Sequence, residues 1–211
     1  MDKISIIVPC FNEEDVVSMF YQETTKQLHR IPDIDYELLF INDGSKDHTA
    51  SVLKELAEKD SHCFYFTFSR NFGKEAAMFA GLEKATGDYV VIMDADLQHP
   101  PRLLPDMYHA CKYEGYDCAA GKRVDRTGEG RLRNFLSHSF YKVIQKLTKM
   151  DMDDGAGDFR MMSRQMVDAI LVLKEYNRYM KGLFSFVGFD TKWIEFHNVE
   201  RAAGQTKWSF T

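Results

Sequence analysis

The chain has 211 residues, of which 45% are hydrophobic and 28% are charged, so we expect a globular protein rather than a disordered one. Its net charge of −5 argues against a general affinity for nucleic acids. The four cysteines have no Cys-x-x-Cys spacing, which indicates reduced, partly buried thiols of a cytoplasmic protein. The first residues lead directly into a predicted strand, and no apolar run approaches the ~18 residues of a membrane span, so we expect neither a signal peptide nor a spanning helix.

The first 120 residues alternate between short apolar runs, typical of buried strands, and helical stretches. Strands are predicted at residues 4–9, 36–42, 64–69, 89–93 and 117–120. The first helix is predicted from an N-cap at Asn12 towards Arg30, and the others cover 48–59, 73–85 and 103–113. This alternation predicts an α/β fold with a mainly parallel, doubly wound sheet and helices on both faces. The turn after the first strand lacks the Gly-x-Gly-x-x-Gly pattern, so a standard dinucleotide-binding loop is not expected.

Two carboxylates, Asp94 and Asp96, follow the buried strand at 89–93, and two prolines then prevent the strand from continuing. Ligands of open α/β sheets bind beyond the carboxyl ends of strands, which is where these side chains are expected. An oxygen pair with open positions suits Mg²⁺ or Mn²⁺ carrying the phosphates of a substrate, and Gln98 is a candidate for a further, neutral oxygen ligand. A solvated acidic turn is the alternative interpretation, because Asp-x-Asp alone is a weak signal.

Two more polar side chains are predicted at strand ends. Asp43 follows the second strand, where it repeats the topology of the first acidic site, although Asp-Gly also favours a simple turn. In either case we expect Asp43 to be exposed. Arg70 follows the third strand and is a candidate for contact with a base or a phosphate; a surface ion pair is the alternative.

The second half of the chain is locally basic. Residues 122–149 contain eight Lys or Arg against two acids, a local charge of +6, so the remainder carries −11. Within this segment, residues 131–149 form an amphipathic pattern with an apolar stripe and a basic face. Such a helix would lie on an anionic membrane or cover an anionic substrate; a solvated face on an ordinary helix is the alternative.

The residues that follow are predicted to form shorter elements. They comprise a polar loop at 121–130, a Gly-rich acidic loop at 153–160, a helix capped by Ser163, one or two helical turns at 177–186 and a strand at 189–199. Near the end, Arg201 and Lys207 flank a glycine, which suggests a flexible anion-binding flap. A frayed, solvated terminus is the alternative.

Six stretches together resemble the inverting family 2 glycosyltransferases, and most of all the polyprenyl-phosphate branch that includes dolichol-phosphate mannose synthase and the bactoprenol glucosyltransferases. They lie in the family's order along nearly the whole chain, at residues 8–14, 42–47, 69–74, 93–101, 157–160 and 201–208. Each stretch is modestly specific alone, whereas six in order are a strong signal. A rival class, the sugar nucleotidyltransferases, usually has a Gly-rich phosphate loop after the first strand, and residues 9–13 do not form one.

The resemblance implies a single GT-A catalytic domain, with a nucleotide-sugar-binding half at 1–120 and an acceptor-binding half at 121–211. It implies a UDP- or GDP-sugar donor, a polyprenyl phosphate acceptor and a Mg²⁺ or Mn²⁺ cofactor. The residues implied for the nucleotide are Pro9, Glu13, Asp43, Arg70 and Asp94. Those implied for the metal and diphosphate are Asp94, Asp96 and Gln98. Asp158 is implied as the catalytic residue, and the positive residues implied near the acceptor and diphosphate are Arg123, Arg131, Arg160, Arg201 and Lys207.

The expected function is therefore metal-dependent sugar transfer, with inversion, to a lipid phosphate at the cytoplasmic face of the cell membrane. A family 2 transferase acting on a sugar hydroxyl, or a non-catalytic sugar-nucleotide-binding module, is the alternative. Branch members usually continue into transmembrane helices, whereas this sequence stops at Thr211, so we expect the chain itself to be soluble. Because of this difference from the branch, the sequence does not predict whether the protein is stably bound to a membrane or forms homo-oligomers. Arg102 also stands where relatives often carry an acid.

Overall fold

A computed structural model describes residues 1–124, 156–173, 175 and 178–197 of the chain. Several predictions lie outside these residues: the basic amphipathic helix at 131–149 with Arg131, and the flap with Arg201 and Lys207.

The first half of the chain confirms the predicted alternation of strands and helices. Its strands owe their positions to apolar runs; Ile4, Ile6, Ile7 and Val8 of the first strand have no exposed surface. The elements are β1 (Asp2–Cys10), α1 (Val17–Leu28), β2 (Ile34–Asn42), α2 (Thr49–Lys59), β3 (Cys63–Thr67), α3 (Lys74–Lys84), β4 (Tyr89–Ile92), a 3₁₀ turn (Pro101–Leu103), α4 (Leu104–Tyr113) and β5 (Cys118–Arg123).

The described part of the second half contains two further strands and two helices: β6 (Ala156–Ser163), α5 (Arg164–Val172), α6 (Met180–Phe186) and β7 (Thr191–Phe196). The prediction of a loop through residue 160 is wrong, because β6 begins at Ala156 and pairs with β4 and β5 on both sides. The later part of β6 pairs with β4 and β5, and Ala156 pairs with Lys122 of β5, so tertiary context overrides the loop-like composition of this segment. The predicted cap is confirmed: Ser163 Oγ accepts a hydrogen bond from the Met166 amide at 3.3 Å.

The seven described strands form one mixed sheet in the order β3-β2-β1-β4-β6-β5-β7. All neighbouring pairs are parallel except those made by β6, which runs antiparallel to both β4 and β5. The chain order reverses direction next to β1, since β2 lies on one side of it and β4 on the other. In open α/β sheets, such a switch point leaves a crevice at the carboxyl ends of the strands.

Helices cover both faces of the sheet, as predicted. On one face α1, α2 and α4 pack on a core that includes Phe20, Phe40 and Phe159. On the other face α3, α5 and α6 pack on a core that includes Met78 and Met162. All four cysteines are free and buried, in agreement with the expected thiols. Among the described residues, no helix is both long enough and apolar enough to cross a membrane.

Two boundaries differ from the sequence-based prediction. Asn12 does not cap the first helix, which begins five residues later at Val17. Instead, Asn12 adopts a left-handed conformation with φ of 54°, and its side-chain oxygen accepts a hydrogen bond from the Lys46 amide at 2.9 Å. The fifth strand also continues to Arg123 because β7 pairs with it along its full length.

A buried carboxylate ties the sheet to the turn before β4, at the side of the molecule away from the strands' carboxyl ends. Glu37 accepts hydrogen bonds from Ser5 Oγ at 2.6 Å and from the Thr86 amide at 2.7 Å, and it pairs with Lys3 Nζ at 2.9 Å. Burial raises the pKa of Glu37, but these donors outweigh it, and the pKa lies below its ordinary value. The ionised form is therefore the one that stabilises the fold.

We predict that Glu37→Gln lowers the free energy of unfolding by about 2 kcal/mol or more at neutral pH, because it removes the charge from a buried carboxylate that accepts several hydrogen bonds. Urea unfolding measures this change, and Glu55→Gln in an exposed ion pair of α2 is the control, with an effect of roughly 0.5 kcal/mol or less. Since the folded pKa is lowered, this stabilisation is present above the ordinary glutamate pKa and is lost as pH falls through the folded value. The free energies of unfolding of the parent chain and of Glu37→Gln should therefore approach each other in acid. A difference between them that stays constant with pH would contradict the stabilising role of the ionised Glu37.

Candidate functional site

A pocket of about 460 Å³ opens where β1, β2 and β4 end. Five predicted site residues line it: Pro9, Glu13, Asp43, Asp94 and Asp96. The remaining lining residues are Cys10, Phe11, Asn71, Gly73, Lys74, Ala77 and Ala95. The sheet's switch point thus brings together side chains that are up to 87 positions apart in the sequence.

Hydrogen bonds between loops fix the wall of this pocket that carries Glu13. The Asn12 amide donates to Ser45 Oγ at 2.9 Å, and the Glu13 amide donates to Thr49 Oγ1 at 2.8 Å. The Glu14 carboxylate accepts from the His48 amide at 2.7 Å. The loop after β1 is therefore held against the start of α2, which places Glu13 over the end of the sheet.

Asp43 is buried, which contradicts our expectation that it would be exposed. Only 3% of its surface is accessible, and its two carboxylate oxygens accept from the amides of Phe72 at 2.6 Å and Gly73 at 2.9 Å. The reason is that the β3–α3 loop folds over it and presents two backbone donors that need an acceptor. Asp43 therefore shapes the pocket wall as well as lining it.

Gly44 makes this close approach possible. Its φ is 66°, and a Cβ at this position would lie 2.7 Å from the Asn71 backbone nitrogen. Both the left-handed conformation and the contact with the neighbouring backbone require a residue without a side chain.

Arg70 is exposed at the rim and does not line the pocket. Its guanidinium lies 4.1 Å from the centre of the Phe72 ring, which is itself half exposed. The two side chains form a cation–π pair next to Asn71, which does line the pocket. The alternative prediction for Arg70 was a surface ion pair; among the described residues, its guanidinium contacts the Phe72 ring instead.

Asp94 carries a perturbed carboxylate. Its Oδ1 lies 2.6 Å from Lys74 Nζ, and its Oδ2 lies 3.7 Å from His99 Nε2. Burial raises the pKa of Asp94, whereas His99 and Lys74 lower it more strongly, to about 2. Asp94 is therefore ionised at any physiological pH, as a metal-binding or phosphate-positioning carboxylate must be.

His99 holds the segment after β4 in place. It accepts a hydrogen bond from the Asp94 amide on Nδ1 at 3.0 Å, and its ring stacks on Phe159 of β6 with centres 5.0 Å apart. Burial lowers the pKa of His99 against the opposing effect of the Asp94 carboxylate, which faces Nε2 of the ring. This residue links the ends of β4 and β6.

Asp96 and Gln98 belong to a tight turn. The Gln98 amide donates to Asp96 Oδ1 at 3.1 Å, and Leu97 between them has φ of 59°. A left-handed leucine costs roughly 1–2 kcal/mol, so the surrounding contacts must hold this turn in its strained form. The turn places Asp96 at the pocket, whereas Gln98 does not line it.

Asp158 lies beside the pocket, bound to the same lysine as Asp94. Its Oδ2 is 2.7 Å from Lys74 Nζ, and its Oδ1 is buried without a hydrogen-bond partner among the described residues. The predicted catalytic carboxylate and the predicted metal ligand thus share one cation. The Oδ1 atom of Asp158 is a buried acceptor that the described residues leave unsatisfied.

The two described arginines of the predicted acceptor set are in different environments. Arg123 ends β5, at the same edge of the sheet as the pocket, and is partly exposed. Arg160 is 4% exposed, donates to the Gly157 carbonyl at 2.9 Å and lies 3.8 Å from the centre of the Phe184 ring. This geometry favours a role for Arg160 in holding β6 and α6 together over direct contact with an anion.

Lys74 and His99 were not among the site residues predicted from the sequence. Both belong to stretches that carried the family resemblance, at 69–74 and 93–101, but their contacts depend on the pairing of distant strands. For Lys74, the sequence signal that could have indicated a role was its position directly after Gly73, at the start of a predicted helix.

The acidic residues of the pocket suit a divalent cation whose coordination is completed by a bound substrate. Asp94 and Asp96 supply hard oxygen ligands, and the Lys74 ammonium already occupies a position next to Asp94 where positive charge is stabilised. Among the described residues, no group of three or more His, Cys, Asp or Glu side chains forms a complete metal site. Phosphate oxygens of a substrate would therefore have to complete the coordination, as is common for Mg²⁺.

The fold and the pocket define the class of protein. Over 96% of the chain the structure resembles a mannosyltransferase, PcManGT from Pyrobaculum calidifontis in complex with GDP-Man and Mn²⁺, with a TM-score of 0.66, 19% identity and 57% of that chain covered. It also resembles glucosyl-3-phosphoglycerate synthase from Mycobacterium tuberculosis in complex with Mn²⁺, UDP-glucose and phosphoglyceric acid, with a TM-score of 0.58, 20% identity and 97% and 73% of the two chains covered. The fold is the GT-A glycosyltransferase fold.

Residues 5–171 match the sequence model of glycosyl transferase family 2, and the chain belongs to this family. It is 48% identical over 208 residues to the putative glycosyltransferase CsbB of Bacillus subtilis (strain 168), covering 99% of this chain and 62% of CsbB. It is 42% identical over 207 residues to the prophage bactoprenol glucosyl transferase homolog of Escherichia coli (strain K12), covering 98% and 67%. The bactoprenol glucosyl transferase of Shigella phage SfV gives the same values. The chain therefore spans about two thirds of the length of these relatives.

We predict that Gly44→Ala destabilises the fold by about 2 kcal/mol more than Gly115→Ala. Both glycines have positive φ and share the conformational penalty of about 1–2 kcal/mol, but only Gly44 faces neighbouring backbone within 4 Å. Urea unfolding compares the two variants. Equal losses would show that the β3–α3 loop does not depend on close approach to Gly44.

Proposed function

We propose that this chain is the catalytic domain of a glycosyltransferase that moves a sugar from a nucleotide-diphosphate sugar to a polyprenyl phosphate, with inversion and with a divalent cation. The observation that carries the proposal is the convergence of Pro9, Glu13, Asp43, Asp94 and Asp96 on one pocket at the sheet's switch point. The names of the bactoprenol glucosyl transferase relatives support the lipid-phosphate acceptor.

The donor would bind in the pocket between the ends of β1, β2 and β4. A volume of about 460 Å³ is in the range of sites for small molecules and cofactors. The nucleoside is assigned to the side formed by Pro9, Glu13 and Asp43, with Arg70 at the rim. The diphosphate is assigned to the opposite side, near Asp94 and Asp96.

Asp94 and Asp96 would hold the divalent cation, Mg²⁺ or Mn²⁺, with Gln98 as a third proposed ligand. A cation at this place supplies Lewis-acid neutralisation of the leaving nucleoside diphosphate. Asp94 is kept ionised by its surroundings, and the hydrogen bond from its backbone amide to His99 Nδ1 holds this part of the backbone in place. The residues of the chain thus position the leaving group before the reaction begins.

The acceptor side follows from the chemistry of a phosphate monoester. Its second pKa is near ~6, so it is largely ionised at neutral pH and needs little help from a general base. The chain must instead hold an anionic nucleophile in line with the sugar carbon, opposite the leaving diphosphate. Arg123 is at the correct edge of the sheet for this role. Arg131, Arg201 and Lys207 are proposed for it from the sequence.

A sugar hydroxyl is the second acceptor that the site supports, because a hydroxyl needs a general base and Asp158 has an unpartnered buried oxygen. With a phosphate acceptor, Asp158 would orient the nucleophile instead. We place the reaction at the cytoplasmic face of the cell membrane, where a lipid phosphate and a nucleotide sugar meet, and leave homo-oligomer formation as a further proposal.

We predict that Asp96→Asn lowers the affinity for UDP or GDP in the presence of Mn²⁺ by about tenfold or more, because one of few anionic ligands is lost. Isothermal titration calorimetry with and without Mn²⁺ measures the effect. Asp106→Asn, on the exposed face of α4, is the control and should leave binding unchanged. Unchanged Mn²⁺-dependent binding in Asp96→Asn would contradict the metal assignment.

The acceptor assignment predicts that Arg131→Ala with Arg133→Ala weakens the use of a polyprenyl phosphate more than it weakens donor binding. Each basic residue near an anionic surface contributes about 1 kcal/mol, and exposed charges are screened over ~8–10 Å at physiological ionic strength. Steady-state transfer with donor and acceptor varied separately measures the effect, and binding to anionic vesicles should fall as salt rises.

The matched control for this double variant is Lys54→Ala with Lys59→Ala, which removes two exposed cations from α2. The control should alter neither the use of the polyprenyl phosphate nor the binding of the donor. If the arginine variant changed only the apparent affinity for the donor, the basic segment would belong to the donor site, and the hydroxyl acceptor would become the favoured one.

A further inference from the structure

The Lys74 ammonium occupies the point where the two functional carboxylates of the site meet. Its Nζ is 2.6 Å from Asp94 Oδ1 and 2.7 Å from Asp158 Oδ2. One of these acids is the proposed metal ligand, and the other is the proposed acceptor-side residue. A divalent cation that binds Asp94 through Oδ1 must therefore compete with this ammonium.

The backbone places Lys74 at this point independently of its side-chain partners. Lys74 is the first residue of α3, and the preceding Gly73 has φ of 96° and donates its amide to Asp43. The Asp43 carboxylate thus anchors the turn from which the lysine side chain extends. The side chain as a whole is 40% exposed, whereas its ammonium is in contact with both carboxylates.

Repulsion between the two carboxylates explains why a positive side chain lies here in the chain without a bound nucleotide. Asp94 and Asp158 would otherwise face each other as two carboxylates, an arrangement in which like charges disfavour ionisation. Burial lowers the pKa of Lys74, but the two carboxylates raise it more strongly, so the lysine stays charged. The ammonium therefore offsets part of the negative charge of Asp94 and Asp158 in the free chain.

A nucleoside diphosphate changes this balance because it brings anionic oxygens of its own. Those oxygens add ligands for a divalent cation and give the ammonium an alternative partner. Without them, a cation at Asp94 and Asp96 has few ligands and must displace Lys74 from an ion pair.

We propose that Lys74 is a built-in counter-ion that makes the binding of the divalent cation conditional on the nucleotide. This inference rests on the proposed function and adds to it a positioning residue. In the free chain Lys74 holds Asp94 and Asp158 together. When nucleotide and cation bind, Lys74 exchanges its contact with Asp94 for one with the diphosphate, and Asp94 turns to the cation.

The proposal has a thermodynamic consequence that a purely structural ion pair would not have. The cation and the nucleotide should each raise the affinity for the other by the same factor, and Lys74 should contribute to that factor. Removing its charge should strengthen the binding of the cation alone and weaken the binding of the nucleotide alone. The coupling factor between the two ligands should then fall.

The experiment is a calorimetric cycle with MnCl₂ alone, with UDP or GDP alone, and with both, on the parent chain and on Lys74→Met. We expect Lys74→Met to bind Mn²⁺ alone about tenfold more tightly and to lose about tenfold of the coupling, which lies within the usual range of coupling between sites. Lys74→Arg retains the charge and should keep most of the coupling. Lys84→Met, at the other end of α3, is the control for removal of a lysine and should behave as the parent.

Folding is checked by thermal unfolding, and Lys74→Gln replaces Lys74→Met if the latter does not fold. If a folded variant bound Mn²⁺ alone no more tightly than the parent, or kept the full coupling factor, the proposal would be overturned while the proposed function stood. If the parent chain itself bound neither UDP nor GDP in the presence of Mn²⁺, the proposed function would fail first. The two failures are therefore distinguishable.

Discussion

The antiparallel pairing of β4 with β6 is the constraint on which the site depends. In this register Ile92 lies opposite Arg160, so Asp94 and Asp158, two residues further on, come together at the edge of the sheet. Side chains alternate between the two faces of a strand, so both carboxylates point to the face covered by α3. Lys74 at the start of α3 lies between them. A shift of one residue in this register would separate the two acids.

The wall of the pocket is built from backbone as well as from side chains. The β3–α3 loop donates two amides to Asp43, and the loop after β1 is bonded to the start of α2. The same carboxylate therefore both closes the pocket and fixes the turn that carries Lys74. The shape of the pocket and the stability of the loop both depend on Asp43, so we expect its substitution to alter the two together.

The sequence predicted the parallel part of the fold well because each strand there is a continuous apolar run followed by a polar turn, as at Val8 and Ile92. It predicted the convergence of Asp43, Asp94 and Asp96 because parallel strands end at one edge. It failed for the start of β6, whose glycine and acidic composition is typical of a loop and whose strand conformation depends on pairing with distant strands. The burial of Asp43 and the contacts of Lys74 also depend on distant segments, and no local pattern contains that information.

The function that we propose for this pocket is the transfer of a sugar to a lipid phosphate with inversion. The most direct measurement is the incubation of the chain with a panel of UDP- and GDP-sugars, Mn²⁺ and a short-chain polyprenyl phosphate, followed by NMR of the anomeric proton in the lipid product. The account predicts a sugar phosphodiester whose anomeric configuration is opposite to that of the donor. A product with retained configuration, or sugar transferred only to a hydroxyl when both acceptors are offered, would contradict it.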